Sequence, residues 1–277
     1  RAGRAGRTGP GICYRIYSED KYQNSMREEE NPEFLIQHIE KGVLMLKQLG
    51  FTKIGDCKFF IEKIPSRIIE SSEERLVGYK ALTGTEKTIT DVGSKMWKIN
   101  LAPFFSKPLF KALKFGVFHE VAKIVSILKY ASTLYNVGEG EEMLKQKQTQ
   151  LWKQFSSHKD YEGVEGDHFL YLFIFNEFLK YHEKSPDENG EESKIEMDTS
   201  KQANSAKKWC KHHGLSYSTL KNAYSTYTEL VQDFATEIEN AKVSETQSTK
   251  TDRILEILLK SHLLNFCVHS NDESLGY

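Results

Sequence analysis

The sequence predicts a mainly α protein, a winged-helix domain followed by a helical bundle, and two observations carry that expectation. From Pro103 onward apolar residues recur at three- and four-residue spacing, as in "FHEVAKIVSILKYASTLY", where Val121, Ile124, Val125 and Leu128 share one helical face. Before Pro103, helical patterns alternate with short runs of β-formers, the order of a small winged-helix domain with its wing.

The totals suit such a protein. The 277 residues can build one large or a few small domains with real cores, and 39% of them are hydrophobic and 12% aromatic. A formal net charge of -1 gives no global push toward polyanions, so any site for one has to be a local patch. The four cysteines, Cys13, Cys57, Cys210 and Cys267, form no CxxC pair, which argues against disulfides and a zinc knuckle. No apolar run reaches the ~18 residues of a membrane helix and no signal-peptide pattern opens the chain, so a soluble cytosolic or nuclear protein is expected.

The chain begins "RAGRAGRTGPGICYRIYSED", with Arg1, Arg4 and Arg7 separated by small residues, then a turn signal, then the β-former run Ile12–Tyr17. Two readings compete: an Arg/Gly tail that sticks to nucleic acid, or an internal motif with a strand behind it. The ordered run after the arginines favours the second. After "REEENPE", Asn31 is a good N-cap and Pro32 suits the first helical position. A helix should run through Leu35, Ile39, Val43, Leu46 and Leu49 and stop at Gly50. A strand-like "KFFIEKIP", a helix over Glu73–Leu82 and a hairpin at "TGTEKTIT" come next. In the bundle, "SKPLFKALKFG" is amphipathic and "EEMLKQKQTQLWKQF" more polar, while "DHFLYLFIFNEFLKYHEK" is apolar nearly all round and should be a buried central helix. "SPDENGEESKIEMDTSKQANS" reads as a disordered surface insertion. "AKKWCKHHG", "SYSTLKNAYSTYTELVQDFATEIENA" and "TDRILEILLKSHLLNF" are the remaining helices.

In this order the pieces resemble the C-terminal half of a DEAH-box RNA helicase. The opening arginines resemble the family's motif VI, a Gln-Arg-x-Gly-Arg-x-Gly-Arg string, and "TGPGICYRIYS" is similar to the strand that follows it. "LKQLG", "ITDVGSKMWKINLAPFFSKPL", "HEVAKIVSIL", "GDHFLYLFIFNEF", "WCKHHGLSYSTL" and "LLKSHLLNF" resemble later landmarks in the family's order. The resemblance implies a remnant of a RecA-like α/β domain over 1–26 and a winged helix over 27–103. It further implies a ratchet-like bundle over 104–250, carrying the insertion at about 184–205, and the start of an OB-fold over 251–277.

The resemblance also assigns roles. Arg4 and Arg7 correspond to arginines that stabilise charge on the transferred phosphoryl group, with Gly6 letting backbone approach a phosphate; Arg1 corresponds to a structural ion-pair partner. ATP and Mg2+ would be held mainly elsewhere, because the chain has no GxxxxGK[ST] loop and no Asp-Glu-Ala-His metal motif, and so should not hydrolyse ATP alone. The bundle and OB-fold would flank single-stranded RNA within a ribonucleoprotein complex, in the nucleus, with a glycine-rich-patch-type activator docking on the winged helix. Lys207, Lys208 and Lys211, beside Trp209, His212 and His213, are the candidate RNA contacts. The opposing reading packs Trp209 in the bundle and leaves the lysines as a solvated face. "Cys-Lys-His-His" has poor zinc spacing, and Asp167-His168 reads as a cap with a packed histidine rather than an acid/base pair.

After Pro-Glu the family usually has an apolar residue, a variable residue and an arginine, and here these read Phe34, Leu35 and Ile36, so the arginine is lost; the chain also departs at Cys57, where an aromatic is common, and at Asn100, where proline is common. The leading functional expectation is an RNA helicase part acting in pre-mRNA splicing, or in ribosome assembly. The rivals are a non-catalytic adaptor and a DNA-binding winged-helix regulator. The second is disfavoured by the acidic start of "SSEERLVGYKAL".

Overall fold

Two hydrophobic cores organise the molecule, and one helix belongs to both. The computed structural model describes residues 2–6, 8–26, 39–57, 64–99, 101–135, 140–164, 166–182, 199–242 and 248–262. The smaller core lies among α2 (Glu40–Gln48), α3 (Ser66–Gly78) and α4 (Asp91–Lys98), which follow the short α1 (Glu19–Asn24). The apolar face of α2 buries Val43, Leu44 and Leu46 against Ile69 and Leu76 of α3 and Met96 of α4. Gly50, at φ 92°, ends α2: its N–H reaches the Lys47 carbonyl and that of Phe51 the Leu46 carbonyl. Ion pairs fix the α2–α3 register, Lys47 with Glu73 at 2.9 Å and Arg75 with Glu40. Lys47 and Glu73 are largely out of water, so removing Glu73 leaves a buried ammonium without its carboxylate.

The larger core gathers α5 (Pro103–Phe115), α6 (Phe118–Leu128), α7 (Glu141–Ser156), α8 (Asp167–His182), α9 (Thr199–His212) and α10 (Tyr217–Asp233). α11 (Ala235–Glu239) and α12 (Lys250–Ser261) follow. α6 packs against α5, α8 and α10, and α8 also holds α7 and α9. Phe169, Leu170, Leu172, Phe173, Ile174, Phe175 and Phe178 of α8 are all buried, as its all-round apolar sequence requires. α7 buries only Leu151 and Phe155, which explains its polar composition.

α5 connects the two cores. Its Phe105 and Leu113 pack with the bundle, Phe104 with the smaller core, and Phe110 with both. Pro103 opens it and Gly116, at φ 65°, closes it. Pro108 inside α5 has no N–H for the Phe104 carbonyl one turn back. The His262 ring packs edge-to-face on the Phe104 ring with centroids 4.3 Å apart, while its Nδ1 lies 3.0 Å from the Leu258 oxygen. Arg253 donates to the Phe115 carbonyl at 2.8 Å, so α12 is tied to both ends of α5.

Several expectations need correction. Ile12–Tyr17 does not form a strand: no ladder neighbour pairs its backbone among the described residues, and Ile12, Tyr14 and Ile16 are exposed. The wing reduces to one antiparallel bridge, Leu82 to Ile89, closed by a bond from the Thr83 N–H to the Thr88 carbonyl at 2.9 Å. The helix expected at Glu73–Leu82 starts at Ser66, just after Pro65, and stops at Gly78. Residues 199–205, expected in the disordered insertion, form the first turns of α9, which continue into the docked Ala206 and Trp209. The helix expected through "SYSTLKNAYSTYTELVQDFATEIENA" breaks at Phe234, a buried side chain that turns the backbone between α10 and α11. Residues 27–38, 58–63, 183–198 and 263–277 lie outside the described residues, and with them the Asn31 cap, most of "KFFIEKIP", most of the insertion and the end of "LLKSHLLNF".

Gly93 of α4 makes the closest backbone approach in the smaller core. A Cβ there would sit 2.2 Å from the Ala81 carbonyl oxygen and 2.9 Å from Ile89 Cγ1. Gly93→Ala should therefore push α4 off the Leu82–Ile89 turn and cost ~1–3 kcal/mol. A urea titration followed by circular dichroism checks this through a lowered midpoint.

Candidate nucleic-acid interface

The sequence of α9 divides it into two faces. Ala206, Trp209 and Cys210, with His213 just beyond the helix, are buried, whereas Lys207, Lys208, Lys211 and His212 are exposed. The buried side is held by aromatic contacts. Trp209 stacks on Tyr181 of α8 with centroids 5.7 Å apart and planes at 22°, and its other neighbour is His213 at 4.8 Å. Trp209 is thus a packing residue. Because it seats the helix, the three lysines one to two positions away face outward together, Lys207 and Lys211 at i, i+4 and Lys208 and Lys211 at i, i+3.

The end of α9 meets α7. Lys147 donates to the Lys211 carbonyl at 2.8 Å, and Gly214, at φ 68°, lies against Leu144 and Lys147. His213 Nδ1 is 3.0 Å from the Trp209 carbonyl and Nε2 is 3.2 Å from Gln154 Oε1. Burial, reinforced by His212 and Lys147, holds its imidazole below the ordinary histidine range. Lys207 also lies 5.5 Å from the Tyr217 ring, at the start of α10. A cationic strip beside aromatic rings can follow a phosphodiester backbone through charge and present flat surfaces to bases.

The Cys-Lys-His-His string does not converge on a metal. Burial pushes the Cys210 thiol up to about 12, while His212 lies on the exposed side and His213 is bonded elsewhere. No group of three metal-capable side chains occurs among the described residues. Asp167 occupies the first turn of α8 and His168 is half-buried, its imidazole lowered by burial and by His262.

At the other candidate site, Arg4 ends a single helical turn over Ala2–Arg4 and is exposed. Gly6 follows at φ 80°, and Gly11 folds back against Ala5 and Gly6, where a Cβ would be 2.6 Å from the Gly6 nitrogen. A left-handed, Cβ-free backbone beside an exposed guanidinium suits approach to a phosphate. Arg1 and Arg7 lie outside the described residues. Nearby, the Arg15 guanidinium rests 3.9 Å from the centroid of the Tyr22 ring, which also stacks on Tyr17, an arrangement the sequence reading missed.

Residues 102–171, spanning α5 to the start of α8, match the family described as helicase associated domain (HA2), ratchet-like. Over 230 residues the chain is 29% identical to a protein of Arabidopsis thaliana, "Pre-mRNA-splicing factor ATP-dependent RNA helicase DEAH10". The chain is thus similar to a DEAH-type RNA helicase over most of its own length. The aligned part is 83% of this chain but 29% of that helicase, so the chain spans less than a third of the relative's length. The mainly helical bundle is the architecture expected of the ratchet-like domain.

One buried and two half-buried histidines give stability a definite pH dependence. For His213, His168 and His262 the folded pKa lies below the unfolded value of ~6.5, so their contribution is complete above that pH and is lost as pH falls toward the folded values. Thermal melts should give a midpoint that drops between pH 7 and 5, and His213→Gln should make the drop shallower.

Proposed function

We propose that this chain is an RNA-handling and coupling part of an ATP-dependent RNA helicase acting on ribonucleoprotein complexes in nuclear pre-mRNA splicing. The supporting observation is similarity to a splicing helicase that runs through both cores and includes the ratchet-like match over residues 102–171. Residues 27–103 serve as the winged helix and as the dock for an activator protein. The exposed lysines of α9 contact single-stranded RNA.

The physical basis of coupling is the pair of ties between the cores. Lys107 of α5 donates from a buried position to the Tyr79 carbonyl, and Lys95 of α4 pairs with Glu237 of α11 at 2.6 Å. With Phe110 packed in both cores, displacement of one carries the other. ATP and Mg2+ are held mainly by the rest of the helicase, because this sequence contains neither a phosphate-binding lysine loop nor the acidic metal motif. Toward the nucleotide the chain supplies Arg4, Arg7 and the Gly6 backbone. The guanidiniums are placed in advance to balance charge that develops on phosphoryl oxygens, without solvent reorganisation.

Two measurements test this reading. In the full helicase, Arg7→Ala should cut RNA-stimulated ATP turnover by ~10³-fold or more while RNA binding persists; unchanged turnover sinks the arginine assignment. Replacing Lys207, Lys208 and Lys211 by Gln should lower the slope of log Kd against log salt for single-stranded RNA by ~2. An unaltered slope returns that strip to a solvated face.

A further inference from the structure

We propose that Lys80, Lys111 and Lys260 form a second phosphodiester-binding site for single-stranded RNA, at the seam where α3, α5 and α12 meet. The inference rests on the RNA-handling reading above but uses residues far from α9. α5 places Lys107 and Lys111 one turn apart. Lys107 is buried and spends its ammonium on the Tyr79 carbonyl, just past α3, which brings the next residue, the exposed Lys80, to the same place. Lys80 holds a φ of 63°, a left-handed conformation that costs a non-glycine residue ~1–2 kcal/mol. α12 packs along α5 and delivers the exposed Lys260 from the other side.

Lys107 reaches the carbonyl next to Lys80 and α12 packs along α5, so lysines from α5, α12 and the turn after α3 line one seam. Burial lowers Lys107 and Lys111, and repulsion adds to it: Lys107 feels Lys111 and Lys80, and Lys111 feels Lys260 and Lys80. The one carboxylate acting on Lys111 in the favourable sense is Glu256, which is itself paired with Lys260. Such a cluster is relieved by an arriving anion. Beside it lie two flat groups, Phe104 and His262, half-buried and edge-to-face at 4.3 Å, and His262 is close enough to feel the charge of Lys111. Cations that track phosphates next to rings that meet bases are the composition of single-strand sites, and the rings favour RNA over an acidic polypeptide.

The test titrates a fluorescein-labelled oligouridylate into the 277-residue chain at several salt concentrations. Joint replacement of Lys80, Lys111 and Lys260 by Gln should weaken binding ~10-fold or more at low salt and reduce the salt slope by ~2, while replacement by Arg preserves both. The single variant Lys111→Gln should reduce the slope by ~0.7 and leave the melting midpoint unchanged or raised, which separates lost binding from lost folding. An unchanged slope in the Gln variants, with the Lys207, Lys208 and Lys211 replacement still lowering it, overturns this site and leaves the helicase reading standing. No oligouridylate binding by the unaltered chain overturns both. Displacement of the RNA by polyglutamate at equal charge concentration would assign the seam to an acidic protein and overturn the RNA commitment.

Discussion

Helix α5 must satisfy two hydrophobic cores at once, and the rest of the architecture depends on that double burial. Leu109 and Ala112 are inaccessible to solvent, Phe110 packs into both cores, and Lys107 is buried with its charge directed at a carbonyl of the smaller core. A lysine so placed costs desolvation, and its ammonium is brought down to about 8, chiefly by burial. The bond to Tyr79 offsets part of that cost and makes the junction directional, because a carbonyl just past the end of α3 carries the negative end of the helix dipole.

The same helix contains a break, and another helix packs beside it. Pro108 has no N–H for the Phe104 carbonyl, and the Phe104 ring carries the His262 ring of α12 edge-to-face, while His262 Nδ1 meets the Leu258 carbonyl. Burial keeps that imidazole below its usual range. α12 therefore belongs structurally with the bundle through α5, and its basic outer face arrives as a consequence of that docking.

Much of this was visible in the linear order. The aromatic run of α8 and the stripe of α6 named the central helices correctly because burial on nearly every side leaves few polar residues to write. Gly50 marked a helix end because left-handed caps favour glycine. The strand at Ile12–Tyr17 misled because β-propensity reports fitness for a sheet, and none of the described residues supplies a neighbouring strand. The first turns of α9 were hidden by polar composition, since only Ala206 and Trp209 further along reveal that the helix docks. Of the candidate site residues, the lysine strip on α9 could be read from i, i+3 and i, i+4 spacing. The seam of Lys80, Lys111 and Lys260 could not, because its members are up to 180 positions apart.

The sequence by itself determined a helical protein and helix boundaries set by proline and glycine, because periodicity and local backbone restrictions are properties of neighbours along the chain. Tertiary structure alone decided that Trp209 faces inward while Lys207, Lys208 and Lys211 face out, that His262 packs on the Phe104 ring, and that lysines from α5, α12 and the turn after α3 come to one seam. Those outcomes follow from how helices pack across the two cores, and packing joins residues whose separation in sequence carries no record of their distance in space.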